Sequence, residues 1–411
     1  MNQTDEGTGV SANNALGLIR AKSPMFSQRT DWKLTPNRYT EACDRFRAEG
    51  RVALDLTASN PTRVNLAYDE AAILKSLSSP ESLRYQPEAK GLLSARQAVA
   101  DYYRSPACAV SPERILLTTS TSEAYSFVFR LLCDPGDEVL VPAPSYPLFQ
   151  FLADLQDVKL VPYQLLYDHG WQIDLRGLEK KLTERSRAVL VVHPNNPTGS
   201  YVRPKEMRAL SWLCSRRRMA VVSDEVFLDF NLEGPPQTSF ASNSRALTFT
   251  LSGLSKLAGL PQMKVAWILT SGPEVLATQA MARLEVIADT FLSMNAPVQL
   301  ALPTLLAQRH PFQLQLRVRL RSNLKELDRQ LAGQTLIERL EVEGGWYVPL
   351  RVPATRSDED LAIELLERQS VLVHPGHFYD FPGDGFLVLC LLPTRDDFRN
   401  GVQRILTHLK G

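Results

Sequence analysis

Between about residue 70 and residue 300 the chain alternates short apolar runs with longer stretches whose apolar positions recur at helical spacing. The runs are RILLTTS (114–120), DEVLVPAPSY (137–146), DVKLVPY (157–163), RAVLVVHPNN (187–196), RRMAVVSDEVF (217–227), ALTFTLSG (246–253) and MKVAWILT (263–270). Several are near-continuous Val and Leu, the pattern of strands covered by helices on both faces. After Ser122, the positions Ala124, Phe127, Val128 and Leu131 repeat at i, i+3, i+4 and i+7, which is one face of a helix. Strand and helix in alternation predict an open, largely parallel α/β sheet. Ligands of such sheets sit at the carboxyl ends of the strands. Ser120, Tyr146, Asn196, Asp224 and Lys256 all fall at or just past those ends.

The pattern changes after about residue 300. HPFQLQLRVRLRSNLKELDRQLAG (310–333) has a long helical period with mixed charge, and shorter strands are expected in LEVEGGWYVPLRVP (340–353) and GFLVLCLL (385–392), before a last helix over 395–410. The division this suggests is a flexible N-terminal arm over 1–35, a large domain over 71–304, and a smaller α+β domain built from 36–70 and 305–411. Internal repeats and low-complexity tracts are absent.

Composition narrows the function classes. The 411 residues carry 46 Lys plus Arg against 45 Asp plus Glu, a net charge of +1, which gives no electrostatic reason to expect nucleic acid or an anionic membrane as partner. Cys43, Cys108, Cys133, Cys214 and Cys390 are scattered and form no CxxC pair, so they read as buried small groups rather than a disulfide frame or zinc site. No metal site is expected, because His193, His374 and His377 have no carboxylate or cysteine at ligand spacing. The polar N-terminus lacks the apolar core of a signal peptide, and no run reaches the roughly 18 apolar residues of a membrane span. These features point to a cytoplasmic protein.

Four segments carry chemistry. In SGLSKLAGLPQMK (252–264), Lys256 closes an apolar strand. A lysine there is either a solvated cation or a desolvated amine whose pKa falls until the neutral form is a nucleophile toward a carbonyl. TTSTSEAY (118–125) puts hydroxyls at a strand-to-helix turn, where Thr121 and Ser122 serve equally well as a plain helix cap or as a phosphate cradle. VVHPNNPTGSYV (191–202) makes a rigid turn after a buried strand, and Asn196 is held there to donate to a ligand or simply to shape the turn. VVSDEVF (221–227) ends a buried run on Asp224, a carboxylate that is costly to bury unless it caps a helix or meets a cation.

In this order and spacing the segments resemble the class I/II aminotransferases, the pyridoxal-phosphate enzymes of fold type I, over nearly the whole chain from about 35 to 410. The resemblance implies a large domain with a mixed, mostly parallel seven-stranded sheet flanked by helices, plus the smaller α+β domain. It implies that Lys256 holds the cofactor aldehyde as a Schiff base and that Asp224 pairs with the ring nitrogen so the ring can accept electrons. Asn196 would donate to the phenolic oxygen and Tyr146 would stack on the ring. Thr121, Ser122, Ser252, Ser255 and Lys264 are the candidates for the phosphate. Tyr85, in YQPEAKGLLSARQAV (85–99), matches a tyrosine that reaches the phosphate of a neighbouring subunit, which implies a homodimer with shared sites. Asn60, in SNPT (59–62), matches the segment that covers the substrate, and Trp346 and His377 fall in segments expected near it. The implied reaction is ping-pong transfer of an amino group from an amino acid or amine to a keto acid.

This sequence departs from the family pattern at three places. Phe227 stands where a tyrosine is usual, and Lys264 stands where an arginine usually forks onto the phosphate. Most informative, GDGFLVLCLLP (383–393) places Val388 where the family carries the arginine that grips the substrate α-carboxylate. Arg29 and Arg63 are the substitutes to consider. The departure keeps open a second reading, a β-lyase, racemase or other carbanion enzyme on a substrate without the usual carboxylate recognition. A cofactor-binding transcriptional sensor is a poorer fit, since the arm is short and not basic.

Overall fold

The computed structural model describes residues 25–105, 109–234, 237–292 and 294–410. Most of the expected arm and Cys108 lie outside the described residues. At the arm's end, the Trp32 indole N–H donates to Asp154 Oδ2 at 2.9 Å and its ring meets Phe151 edge-on, so this stretch is held against the body.

The large domain is built on one sheet. Its strands in chain order are β1 (Ile115–Thr118), β2 (Glu138–Ala143), β3 (Lys159–Tyr167), β4 (Trp171–Ile173), β5 (Ser186–Val192), β6 (Ala220–Asp224), β7 (Thr248–Gly253) and β8 (Ala266–Ser271). In space they run β1-β8-β7-β6-β5-β2-β3-β4. The central strands β3, β2, β5, β6 and β7 are mutually parallel; β8 is antiparallel to both β1 and β7, and β4 is antiparallel to β3. The seven expected strands are joined by an eighth, the three-residue β4. It arises because His169, with φ 46°, and Gly170, with φ 135°, turn the chain back on β3. Strands β2, β6 and β7 are buried along their whole length, which is why their sequences do not alternate.

The smaller domain pairs β9 (Glu338–Arg339), β10 (Tyr347–Arg351), β11 (His374–Pro375) and β12 (Phe386–Cys390) in an antiparallel sheet of order β9-β10-β12-β11. Helices Arg38–Ala48, Asp358–Gln369 and Arg395–Lys410 belong to this domain, and Leu54–Asp55 pairs with Val371–Leu372. The long helix Arg309–Leu331 buries Phe312, Leu316, Leu320, Leu324 and Leu327 at three- and four-residue spacing, so its apolar stripe joins the core that spans both domains. Among the described residues no helix is long and apolar enough to cross a membrane.

Backbone contacts join the two sheets at the carboxyl edge of the large one, among them those of the loop after β5. The turn after β5 closes with Gly199 N donating to Asn195 O at 2.8 Å, and Gly199 O accepts from the backbone N–H groups of Glu343 and Gly344 in the smaller domain. Gly199 has φ +68°, and a Cβ there would sit 2.7 Å from the Gly344 carbonyl. Both the backbone conformation and the space therefore demand glycine. Gly199→Ala is expected to lower folding stability by about 2 kcal/mol, read as a shifted urea midpoint; an unchanged midpoint would show that the two loops separate at little cost.

Candidate active site

The site lies where β5, β6 and β7 end. Strand β7 delivers its last residue, Gly253, into the four-residue helix Leu254–Leu257, which carries Lys256. Lys256 is half-buried, and its Nζ lies 5.1 Å from the centre of the Trp346 ring and 6.0 Å from that of Phe227. Desolvation by these walls pulls the pKa of Lys256 down, and the nearby Cys390 and Asp224 oppose that shift only in part. Of the two readings of this lysine, the desolvated amine is the one the geometry describes.

Asp224 ends β6, buried. Its Oδ2 accepts from Tyr125 Oη at 2.8 Å and its Oδ1 from Val226 N at 3.1 Å. Burial raises its pKa, while these two donors and the Lys256 charge pull it back down. A buried carboxylate whose hydrogen bonds come only from neutral donors is costly unless positive charge lies near it. Tyr125 is a site residue that sequence reasoning missed. It stands one turn into the helix Thr121–Leu132, and nothing local distinguishes it from the neighbouring core aromatics.

The loop after β5 presents Asn196, whose amide oxygen is buried without a hydrogen-bond partner; the Ser252 hydroxyl on β7 is in the same condition. Such orphaned polar atoms cost free energy unless a ligand meets them. His193 holds this loop: its Nδ1 accepts from Val202 N at 3.0 Å, across the turn, and its Nε2 faces Thr238 O at 3.1 Å. Because Nδ1 accepts, the Nε2–H tautomer is the one present. Asn195 Nδ2 donates to Pro144 O at 2.9 Å and so joins the loop to the end of β2.

At the neighbouring turn Ser120, not Ser122, caps the helix Thr121–Leu132: its Oγ accepts from Glu123 N at 3.1 Å. Glu123 reaches back to Thr119 N at 2.7 Å. Thr121 and Ser122 occupy the first turn, leaving their side chains out of the cap. Tyr146 is 41 % exposed and rests edge-on against Phe149. Ser255 is half-buried beside Lys256, whereas Lys264 is exposed in the left-handed region at φ 51°.

Other expected residues lie elsewhere. Arg29 is ion-paired with Asp157, which precedes β3 at the amino end of the parallel strands, opposite the Lys256 edge. Asn60 caps the 3-10 turn Pro61–Arg63, where Arg63 is exposed. Tyr85 is 80 % exposed. Trp346 is fully buried beside Lys256, and His377 sits in the turn Gly376–Tyr379 packed edge-on to Phe378. Among the described residues no cluster of His, Cys, Asp and Glu fits a metal ion.

The family model for aminotransferase class I and II matches residues 54–405. The chain belongs to the class I and II aminotransferases. The glutamate-pyruvate aminotransferase AlaA of Escherichia coli K12 is 25% identical over 378 residues, covering 89% of this chain and 93% of the relative. The alanine aminotransferase of Mycobacterium tuberculosis H37Rv is 25% identical over 388 residues, covering 88% and 86%. In fold, the alanine aminotransferase from Pyrococcus furiosus superposes with a TM-score of 0.84 at 23% identity, covering 90% of this chain and 96% of that one. This aminotransferase is an enzyme that transfers amino groups, and the comparisons do not favour the lyase or racemase alternative.

The buried imidazoles give the enzyme a stability profile. Burial holds His193 and His374 down to about 4. A histidine whose folded pKa lies below its unfolded value of about 6.5 contributes stability that is complete above pH 6.5 and is lost as pH falls toward 4. Each contributes up to about 3 kcal/mol of that loss. Urea titrations should therefore show stability falling steeply between pH 6.5 and 4, and more shallowly in His193→Asn; parallel profiles would remove His193 from the account.

Proposed function

We propose that this aminotransferase works with pyridoxal phosphate held by Lys256, and that the residues gathered at the ends of β5, β6 and β7 divide the work as the family resemblance implies. When bound, the cofactor supplies an aldehyde that captures the substrate nitrogen and a cationic ring that accepts electrons. The observation that carries this reading is the desolvated Lys256 amine near the buried carboxylate of Asp224, whose hydrogen bonds come from the neutral Tyr125 hydroxyl and Val226 N–H.

Lys256 Nζ is the nucleophile toward the aldehyde. With the substrate bound, the freed Nζ would serve as the base that accepts the proton of the substrate carbon and gives it back. Its depressed pKa suits both roles, because the neutral amine is the form that can accept a proton. Asp224 holds the proton on the ring nitrogen, with Tyr125 fixing the carboxylate's orientation. Asn196 meets the cofactor's phenolic oxygen, unassisted by the side chain at Phe227. Tyr146 covers the ring face. Thr121 and Ser122, on a helix start whose amides favour an anion, bind the phosphate together with Ser252, Ser255 and Lys264. Asn60 covers the substrate.

The exposed Tyr85 is proposed to reach the phosphate held by a second copy, making the enzyme a homodimer with shared sites. Beside it Leu83 and Leu292 are also exposed, an apolar rim of the kind oligomer interfaces cover. The amino donor and keto acceptor are small molecules.

Lys256→Ala is expected to abolish transamination, and borohydride treatment of the cofactor-loaded wild type to leave a reduced tag on Lys256 by peptide mass spectrometry. Asp224→Asn should lower kcat by about a hundredfold or more while the tag still forms. A tag on any other lysine, or full activity in Lys256→Ala, contradicts the assignment.

A further inference from the structure

The side chains that the smaller domain turns toward Lys256 define what the enzyme can accept. Directly opposed residues of an antiparallel pair share one face of the sheet, and residues two apart along a strand share it too. Tyr347 opposes Cys390, Pro349 opposes Val388, and His374 opposes Val388 from the other side. Tyr347, which shares its face with Cys390, packs edge-on against Phe227, and the Phe227 ring centre lies 6.0 Å from Lys256 Nζ, so this face is the one turned to the amine.

Among the described residues, that face has hydroxyl, thiol, imidazole and alkyl groups but no available cation. Burial pushes the Cys390 thiol up to about 12 and holds His374 near 4, so both are neutral. His374 Nδ1 is engaged by Tyr379 Oη at 2.9 Å. The cation at the strand's far end, Arg351, is committed to Glu338 at 2.9 Å and lies over the Tyr167 ring. The walls around the amine are aromatic: Trp346 and Phe227 within 6.0 Å, then Tyr347. A carboxylate placed beside the reacting carbon would be desolvated against these groups with no positive partner, which is strongly unfavourable. An apolar substituent would gain by burial there.

We propose that the amino donor is a primary amine with no carboxylate on the carbon that bears the nitrogen, carrying an aryl or alkyl substituent. This rests on the cofactor reading above. In the half-reaction the substrate C–N bond breaks and its carbon is oxidised by two electrons to an aldehyde or ketone. Water supplies the carbonyl oxygen. The carbon's proton would pass through Lys256 Nζ, and the nitrogen and electron pair would be taken up by the bound cofactor for delivery to a carbonyl acceptor, which, because it uses the same pocket, must likewise lack a carboxylate on the reacting carbon.

The test uses pairs of compounds that differ only by the carboxylate: 2-phenylethylamine against L-phenylalanine, and tyramine against L-tyrosine. The cofactor-loaded enzyme is mixed with each under single-turnover conditions, with absorbance following loss of the aldehyde form and mass spectrometry identifying the carbonyl product. The amines are expected to react at least tenfold faster than their amino acids. Equal or faster reaction of the amino acids overturns the proposal while leaving the cofactor reading intact. Loss of that amino-acid reaction in Arg63→Ala would identify the cation that this proposal denies.

A second readout does not depend on turnover. Calorimetry with the loaded enzyme compares 3-phenylpropanamide with 3-phenylpropionate, which the proposal expects to bind at least tenfold more weakly. Tighter binding of the carboxylate overturns it, even where neither amine reacts. Failure of the cofactor reading is separate, since it shows as absence of the borohydride tag. Val388→Arg should reverse the preference within each pair, and the wild-type comparison decides the matter if that variant does not fold.

Discussion

The molecule depends on an amine kept out of water. Lys256 is half-buried between aromatic rings, with a buried carboxylate as the charged group nearest in kind. Leaving it solvated would be easy and useless, since a protonated amine neither attacks a carbonyl nor takes a proton. Desolvation makes it reactive, but it also removes the counter-ion that a surface lysine would find. Asp224 supplies only part of that compensation and is itself raised by burial. The two groups are therefore poised: each is less charged than it would be in water, and a cationic ring between them would relieve both.

The fold holds that arrangement in place. Parallel strands β5, β6 and β7 end side by side, so Asn196, Asp224 and Lys256 arise from neighbouring carboxyl ends. The Asn196 loop would swing freely if it hung from β5 alone. It is instead held at three points: His193 spans it, Asn195 binds the end of β2, and Gly199 joins it to the smaller domain. The smaller domain places Trp346 against the amine and Tyr347 against Phe227, so the walls that desolvate Lys256 come from both domains. Domain contact and amine reactivity are thus one physical arrangement.

Much of this was legible in the sequence. The Val- and Leu-rich runs gave the strands because burial on both faces leaves no polar alternation to confuse the reading, and Asp224 and Lys256 stood out as charges at the ends of apolar runs. The eighth strand was missed because three residues, Trp171–Ile173, are too few to show a period. Tyr125 was hidden because an aromatic on a core helix looks the same whether or not its hydroxyl has work to do. Cys390 was read as inert packing, and its nearness to Lys256 depends on how two domains meet, which local pattern does not encode. Arg29 was a plausible substrate anchor in one dimension. In three, its partner Asp157 lies at the opposite end of the strands.

The account rests on the depressed pKa of one amine, and that quantity is measurable without the cofactor. Competitive acylation of the cofactor-free protein across a pH series, with peptide mass spectrometry reading the extent of labelling at Lys256 against exposed lysines such as Lys325, gives its apparent pKa. The account predicts a titration midpoint below the value of 10.5 for an ordinary lysine. A midpoint at or above that value would mean the amine is a solvated cation, and the chemistry assigned to it would have to reside elsewhere.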